Sequence, residues 1–463
     1  MASSEAVSDA GAISARLDRL PATRTMWTRV LLLSLGGFFE HYDLFLTGYI
    51  MPGLVRSEIL TPTTQGLFGT AGVAAFVAAL FCGLFIGTAI FGFVADRFGR
   101  RAIFTVSLLW YSAATAIMAF QQDAFGLLLW RFIAGVGVGV ELVTIDTYLS
   151  ELVPKRLRGR AFAVNQAIQF CAVPAVALLS WLFVPRDVLN LDGWRWVVLI
   201  GAAGAVIVWF IRLGLPESAR WLAQHGRMDE AERLVTRLEA RTAQESGAPL
   251  PAPEAPLPET PRGGFAEIWR QPYLTRTLML IVFNIFQTVG YYGFANWAPT
   301  LLIEKGVTVV KSLQYTFLIA IAAPFGPLLA AFLADRTERK WQIVCAAGAI
   351  AVVGLIFAHT MDPAWLIVLG VLLTLSSNVM SYAFHSYQAE LYPTRIRALG
   401  VGFVYSWSRL SAVFTAFVIA FLLHGYGAPA VFALIAGSMA IVMLAIGLFG
   451  PRTRNRALEE ISR

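Results

Sequence analysis

The chain has 463 residues, of which 57% are hydrophobic and only 14% charged. Water-soluble domains carry about a quarter charged residues, so an ordinary soluble globule is excluded and an integral membrane protein is indicated. The net charge of +7 would suit a nucleic acid, but the distribution of that charge along the chain argues against one.

Residues 1–26 are polar and read as a tail. Apolar runs follow near 27–51, 69–95, 102–121, 125–150, 160–184, 194–214, 274–303, 312–334, 341–360, 364–389, 398–424 and 427–450. About 20 apolar residues cross a bilayer, and every backbone group in lipid needs an internal partner. The runs are therefore predicted as twelve transmembrane helices. The first is a full span with no small-residue cleavage site, so no cleavable signal peptide is expected. Twelve spans put both termini on one side. Of the Lys and Arg residues, Arg56, Arg186, Arg195, Lys305 and Lys311 fall on the other side and Arg131 and Arg409 inside spans; the rest lie with the termini. Positive charge marks the cytoplasmic loops, so both termini are expected in the cytoplasm. Arg outnumbers Lys and the loops are short, which points to a bacterial inner membrane.

The predicted organisation is a tail (1–26), a six-helix bundle (27–214), a cytoplasmic loop (215–273), a second six-helix bundle (274–450) and a tail (451–463). Within the loop, MDEAERLVTRLEA at 228–240 has the spacing of an amphipathic helix. The Pro-rich APLPAPEAPLPETP that follows reads as an extended linker. Cys82, Cys171 and Cys345 all lie in apolar runs and suggest neither a disulfide framework nor a metal site.

The chain contains a repeat. DRFGRR (96–101) follows span 2 and DRTERK (335–340) follows span 8; ELVPKRLRG (151–159) follows span 4 and ELYPTRIRA (390–398) follows span 10. Both pairs match at an offset of 239 residues. The two halves are thus related by duplication, an arrangement that in transporters places a site between the halves at mid-membrane. Asp96, Arg97, Arg100, Arg101, Glu151 and Arg158, with Asp335, Arg336, Glu390 and Arg397, are expected to gather on the cytoplasmic face. Exposed ion pairs contribute about 0.2–1 kcal/mol each, which suits a latch that opens repeatedly.

These motifs carry a family resemblance. GFVADRFGRR (92–101) resembles the loop signature of the major facilitator superfamily, and RFIAGVGVG (131–139) its fourth-helix motif. LPESARWL (215–222) and PRTRNRALEEI (451–461) are similar to the sugar-porter branch, while NWAPTLLIEKG (296–306) is similar to the seventh helix of organic-acid and metabolite carriers. The Tyr-Asp of span 1 resembles both sugar porters and metabolite–proton symporters. The resemblance covers essentially residues 27–461 and implies two pseudo-symmetric bundles working by alternating access. NIFQTVGYYG (284–293) departs from the sugar-porter pattern by keeping one Gln of the usual pair, and the late Pro-Glu-Thr signature is reduced to Pro451 and Thr453.

Charges inside spans need a partner or a wet cavity. Glu40 and Asp43 are i and i+3 and share a helix face with Thr47. Asp43 lies about 24 Å into its span from the cytoplasmic side, and Arg131 about 9 Å from the opposite end of span 4. In a core about 30 Å thick these depths coincide, so an Asp43–Arg131 pair is expected. The resemblance points the same way, since the first-helix Asp and fourth-helix Arg form the proton site of related symporters. A carboxylate beside a guanidinium stays ionised and one moved away takes up a proton, so protonation can follow conformation. Glu40 and Glu141 are further candidates for proton coupling, while His41 points off the stripe toward packing. Under the offset, Asp43, Arg131 and Glu141 map to Val282, Gly370 and Met380, and Arg409 maps back to Phe170. Proton handling is therefore expected in the first half and anion binding by Arg409 in the second; pairing of Arg409 with Glu141 is the alternative. Gln166, Gln169, Gln287, Tyr291, Asn296, Asn378 and Tyr382 are candidates for the substrate cavity, Tyr292 and Trp297 for stacking on a substrate or, as the alternative, for anchoring at the membrane interface, and Asp146 and His385 for the inner gate.

The predicted function is secondary active, proton-coupled symport of a small organic anion, a carboxylate, by a monomer that needs no cofactor. Its partners are the substrate, protons and membrane lipid. A sugar or polyol–proton symporter is the alternative, drug efflux a third reading, and a transport-dead nutrient sensor a reading of another class. There is no metal cluster, catalytic triad or phosphate loop in the sequence to suggest an enzyme or an ATP-driven pump.

Overall fold

In the computed structural model the described residues are 11–61, 72–212, 215–253, 264–334 and 336–453, the side chains of 90–96, 143, 211–212, 334, 394 and 398 lying outside that description. Among the described residues there are twelve helical spans. Spans 1–4 are Arg24–Arg56, Gly72–Phe98, Arg100–Met118 and Ala124–Leu152. Span 5 is two helices, Arg158–Phe170 and Ala172–Phe183, and span 6 is Gly193–Arg212. Span 7 runs Tyr273–Ala295 and continues as Ala298–Glu304. Span 8 is Val309–Ala320 and Phe325–Ala334. Spans 9–11 are Arg339–His359, Pro363–Glu390 and Thr394–Tyr426. Span 12 is Ala428–Leu444 with a π turn at Ala445–Phe449.

The three breaks have one cause. Proline lacks an N–H and its ring clashes with the carbonyl four residues back. Pro174 disrupts the ladder at Phe170, Pro299 at Ala295 and Pro324 at Ala320, and each helix segment ends there. The halves meet along span 2 against span 11 and span 5 against span 8. Trp181 stacks on Phe317 across the second contact, with centroids 5.8 Å apart.

The repeat is visible in local chemistry. Asp123 caps span 4 by accepting from Gly126 N–H at 2.8 Å, and Asp362, 239 residues on, caps span 10 by accepting from Trp365 N–H at 3.0 Å. Each cap satisfies an N–H that the first helical turn leaves without a partner. The alternate glycines of RFIAGVGVG also find a use. A Cβ at Gly135 or Gly139 would meet the carbonyls of Leu80 or Leu84 at 2.5 Å, so spans 2 and 4 cross backbone to backbone.

On the face carrying the termini, the predicted helix is present as Met228–Ser246. Its apolar stripe, Ala231, Val235 and Leu238, packs with Ala219 and Leu222 against Ile13, Leu17 and Leu20 of the N-terminal helix. Charges bind this unit together. Arg16 and Arg19 donate to Glu239, each at 2.7 Å, while Asp18 accepts from Arg220 and from Lys155 N–H at 2.8 Å. Most of the Pro-rich stretch, from 254, lies outside the described residues.

Candidate functional site

Span 1 brings Asp43 to the heart of the first half. Asp43 Oδ2 accepts from Arg131 Nη1 at 3.0 Å, and Arg131 Nη2 donates to the Asp43 carbonyl at 2.6 Å and to Thr47 Oγ1 at 2.5 Å. The guanidinium also lies over the Phe76 ring, 5.5 Å from its centroid. Asp43 is 3% exposed and Arg131 fully buried. The depth argument made from span lengths thus holds in three dimensions. Thr115 of span 3, which the sequence reading passed over, donates to Asp43 Oδ1 at 2.9 Å. A lone threonine in an apolar span gives no signal of its own; such residues usually bond back to their own helix.

Arg409 sits near the middle of span 11. It donates to Tyr292 Oη at 2.9 Å and Tyr405 Oη at 3.0 Å and lies over the Tyr405 ring. It is 3% exposed, and its Nε has no hydrogen-bond partner. Among the described residues, no carboxylate forms an ion pair with Arg409, so the alternative pairing with Glu141 is not formed. Glu40, 1% exposed, and His41 and His385 lie within electrostatic reach of the guanidinium. Glu141 is fully buried.

Beyond this layer, toward the face opposite the termini, lies a cavity between the halves. Phe45, Tyr49, Phe170, Tyr291 and Phe294 supply aromatic walls, and Thr316, Ser377 and Asn378 supply polar groups. Its empty volume is about 490 Å³, including the part open to solvent. His41 sits at its edge, its ring 5.2 Å from that of Phe170 in an edge-on contact. Tyr291 Oη donates to Asn378 Oδ1 at 3.4 Å.

The other candidates divide. Tyr291 and Asn378 line the cavity as expected. Gln287 does not: it is buried and donates to the neighbouring Thr288. Gln169 lies against Gly37, which ties span 5 to span 1. Asn296 is fully buried at the break in span 7, with both amide atoms unpartnered. Its backbone faces Gly48, where a Cβ would come within 2.3 Å of the Asn296 carbonyl. Together with the contact of Thr300 Oγ1 to Met51 Sδ at 3.5 Å, this approach joins the halves on the face opposite the termini. Trp297 is buried in the core rather than free to stack on a ligand, and Tyr292 is engaged by Arg409. Gln166 and Tyr382 are half-buried and do not line the cavity. Asp146 is exposed, yet lies within electrostatic range of Tyr405 of the other half.

A family model described as sugar (and other) transporter matches residues 30–463. The chain belongs to that family. It is a transporter of the major facilitator superfamily, not an enzyme. YyaJ of Bacillus subtilis (strain 168), a protein named for metabolite transport, is 32% identical over 96% of both chains. The niacin transporter NiaP of Acinetobacter baylyi is 30% identical over 96% of this chain and 98% of its own. An inward-open structure of the xylose transporter XylE from E. coli shares the fold at a TM-score of 0.72 and 19% identity, covering 94% of this chain and 99% of that one.

The transporter's charged loops form braces within each half. Arg100 donates to Glu151 at 3.2 Å, and Arg339 pairs with Glu390 at 2.5 Å; both residues of the second pair are 239 positions on from the first. Arg158 Nε donates to the Val153 carbonyl and Arg397 Nε to the Tyr392 carbonyl, again at that offset. The expected gathering of these charges thus takes the form, for these pairs, of one brace in each half. The loop after span 2 and the end of span 4 are neighbours in one bundle, so their charges meet each other first. Arg339 was missed, although applying the offset to Arg100 yields it. Glu217 of LPESARWL accepts from the Arg100 and Arg101 N–H groups, and Ser218 caps the following short helix. Arg97 and Arg336 lie over the Phe98 and Phe332 rings. Asp335 and the Asp96 side chain are outside the described residues.

Proposed function

We propose that this transporter is a proton-coupled symporter of a small organic anion, a carboxylate with a planar ring, with both termini in the cytoplasm of a bacterial inner-membrane protein. The observation that carries this reading is Arg409: a buried guanidinium held by two tyrosine hydroxyls, with an unpartnered Nε and no described carboxylate paired to it. A charge at that depth is costly without a counter-ion or a wet cavity, and its fork suits a bidentate carboxylate. The aromatic walls beyond it suit a flat ring. One relative is named for niacin, a pyridine carboxylate, a molecule that joins a flat ring to a carboxylate. Asp43 would carry the proton, its ionised form favoured by Arg131 and its protonated form by whichever state of the transport cycle weakens that pair.

The polar residues Thr316, Ser377 and Asn378 in the cavity favour a second reading, a sugar–proton symporter. Uptake of radiolabelled nicotinate, aliphatic monocarboxylates, xylose and arabinose into proteoliposomes, with and without a pH gradient, decides between them. Carriage of a sugar and of no carboxylate would overturn the anion assignment. Arg409→Ala should abolish carboxylate binding, with Arg409→Lys retaining part of it.

A further inference from the structure

Asp43 has two carboxylate oxygens in different surroundings. Oδ2 faces Arg131, whose Nη1 donates to it. Oδ1 accepts from Thr115, and Asp43 and Thr115 both line a separate small cavity among spans 1, 3 and 6. Phe39, Tyr42, Leu46, Val198, Gly201 and Ala202 form its apolar walls, and Asp43, Tyr111, Ser112 and Thr115 its polar side. The space open to the centre of a water molecule is about 10 Å³, at the lower limit for holding one water. This cavity shares no lining residue with the larger one between the halves.

We propose that Thr115 and this cavity form the seat of the proton on Asp43, with Oδ1 taking the proton while Oδ2 serves Arg131. This rests on the proton-handling reading above. The division follows from donor and acceptor roles. An oxygen accepting from a guanidinium is a poor place for a proton, because two hydrogens would point at each other. A threonine hydroxyl both donates and accepts. It donates to Oδ1 when Asp43 is ionised. When a proton arrives from water at Oδ1, the new O–H donates to Thr115 Oγ1, and the threonine hydrogen turns away toward its own helix or a water in the cavity. Release reverses both moves, so one proton enters and one leaves. The groups facing Asp43 are few: Arg131 from span 4, Tyr111 from span 3 and Tyr42 beside it on span 1. Tyr42 Oη is already committed to the Val197 carbonyl at 2.8 Å. Span 6 offers Val198, Gly201 and Ala202, none of which titrates. Thr115 is thus a positioning residue that acts through Asp43.

The test needs no substrate. Infrared difference spectra of the purified, full-length protein, recorded as pH is swept, identify the carboxylic C=O band of Asp43 as the one lost in Asp43→Asn. A bond donated to a charged acceptor outweighs the neutral one it replaces. Thr115→Val should therefore shift the midpoint of that band to higher pH by about half to one unit. Thr115→Ser, which keeps the hydroxyl, should restore the wild-type midpoint, and Ser112→Ala should leave the shift small. An unchanged midpoint in Thr115→Val, or a shift that Thr115→Ser fails to reverse, overturns the assignment. Should Thr115→Val not fold, Thr115→Ala against Thr115→Ser makes the same comparison. A titrating Asp43 band in a protein whose uptake ignores a pH gradient would instead overturn proton coupling while leaving the hydroxyl's placement intact.

Discussion

Replacing Asp43 with asparagine should disconnect accumulation from the proton gradient while leaving the machine assembled. Asparagine keeps an oxygen for Arg131 Nη1, and the bonds from Nη2 to the Asp43 carbonyl and Thr47 are untouched. Alanine would strand a fully buried guanidinium, and removing one partner of such a pair costs about 3–5 kcal/mol. Asparagine is therefore the informative change. One proton per cycle on Asp43 sets the size of the effect. A gradient of one pH unit supplies about 1.4 kcal/mol per proton, enough for about tenfold accumulation of a monoanion; anion and proton together move no net charge. For a neutral substrate, a potential of 100 mV adds about 2.3 kcal/mol, and the limit rises to about 500-fold. Proteoliposomes with an imposed pH gradient, with and without a potassium-diffusion potential, should thus show about tenfold accumulation insensitive to potential. Asp43→Asn should bring the ratio to about one and retain counterflow exchange. Tenfold accumulation by Asp43→Asn would refute the assignment, and strong dependence on potential would refute the anion.

Gly48→Val should prevent closure on the face opposite the termini, because even a Cβ would lie 2.3 Å from the Asn296 carbonyl; a Thr300→Cys reporter should then react faster with an impermeant maleimide, and turnover should fall at least tenfold. Arg409→Ala should lose carboxylate binding in a scintillation proximity assay with unchanged thermal stability. Burial pushes the Glu239 carboxyl up, but the Arg16 and Arg19 guanidiniums outweigh it and hold it below the usual carboxylate range. A carboxylate held low stabilises the docked N-terminal helix at neutral pH and loses that contribution as pH falls through its lowered value. Proteolytic nicking near residues 11–20 should accelerate on acidification, and Glu239→Gln should be nicked readily at every pH.

Much of this was legible in the sequence, and the reasons differ residue by residue. Asp43 and Arg131 were found because lipid sets a depth scale and a buried charge must be answered at its own depth. The repeat exposed the loop pairs because an offset needs no azimuth. Gln287, Asn296 and Trp297 do not line the cavity between the halves, which the sequence could not foretell, because a span apolar on nearly every side does not say which face meets another helix and which meets a cavity. The breaks at Cys171 and in span 7 could have been placed from Pro174 and Pro299. Thr115 could not, since its value lies in what span 1 brings against it.

The clasp on the terminal face has a mechanical consequence. Span 1 starts only a few residues after the helix that Glu239 and Asp18 hold down, and Asp18 also grips the hairpin joining spans 4 and 5. Four strands of the chain are thus laced at one base. Tied in this way, the ends of spans 1, 4 and 5 resist being drawn apart at that base.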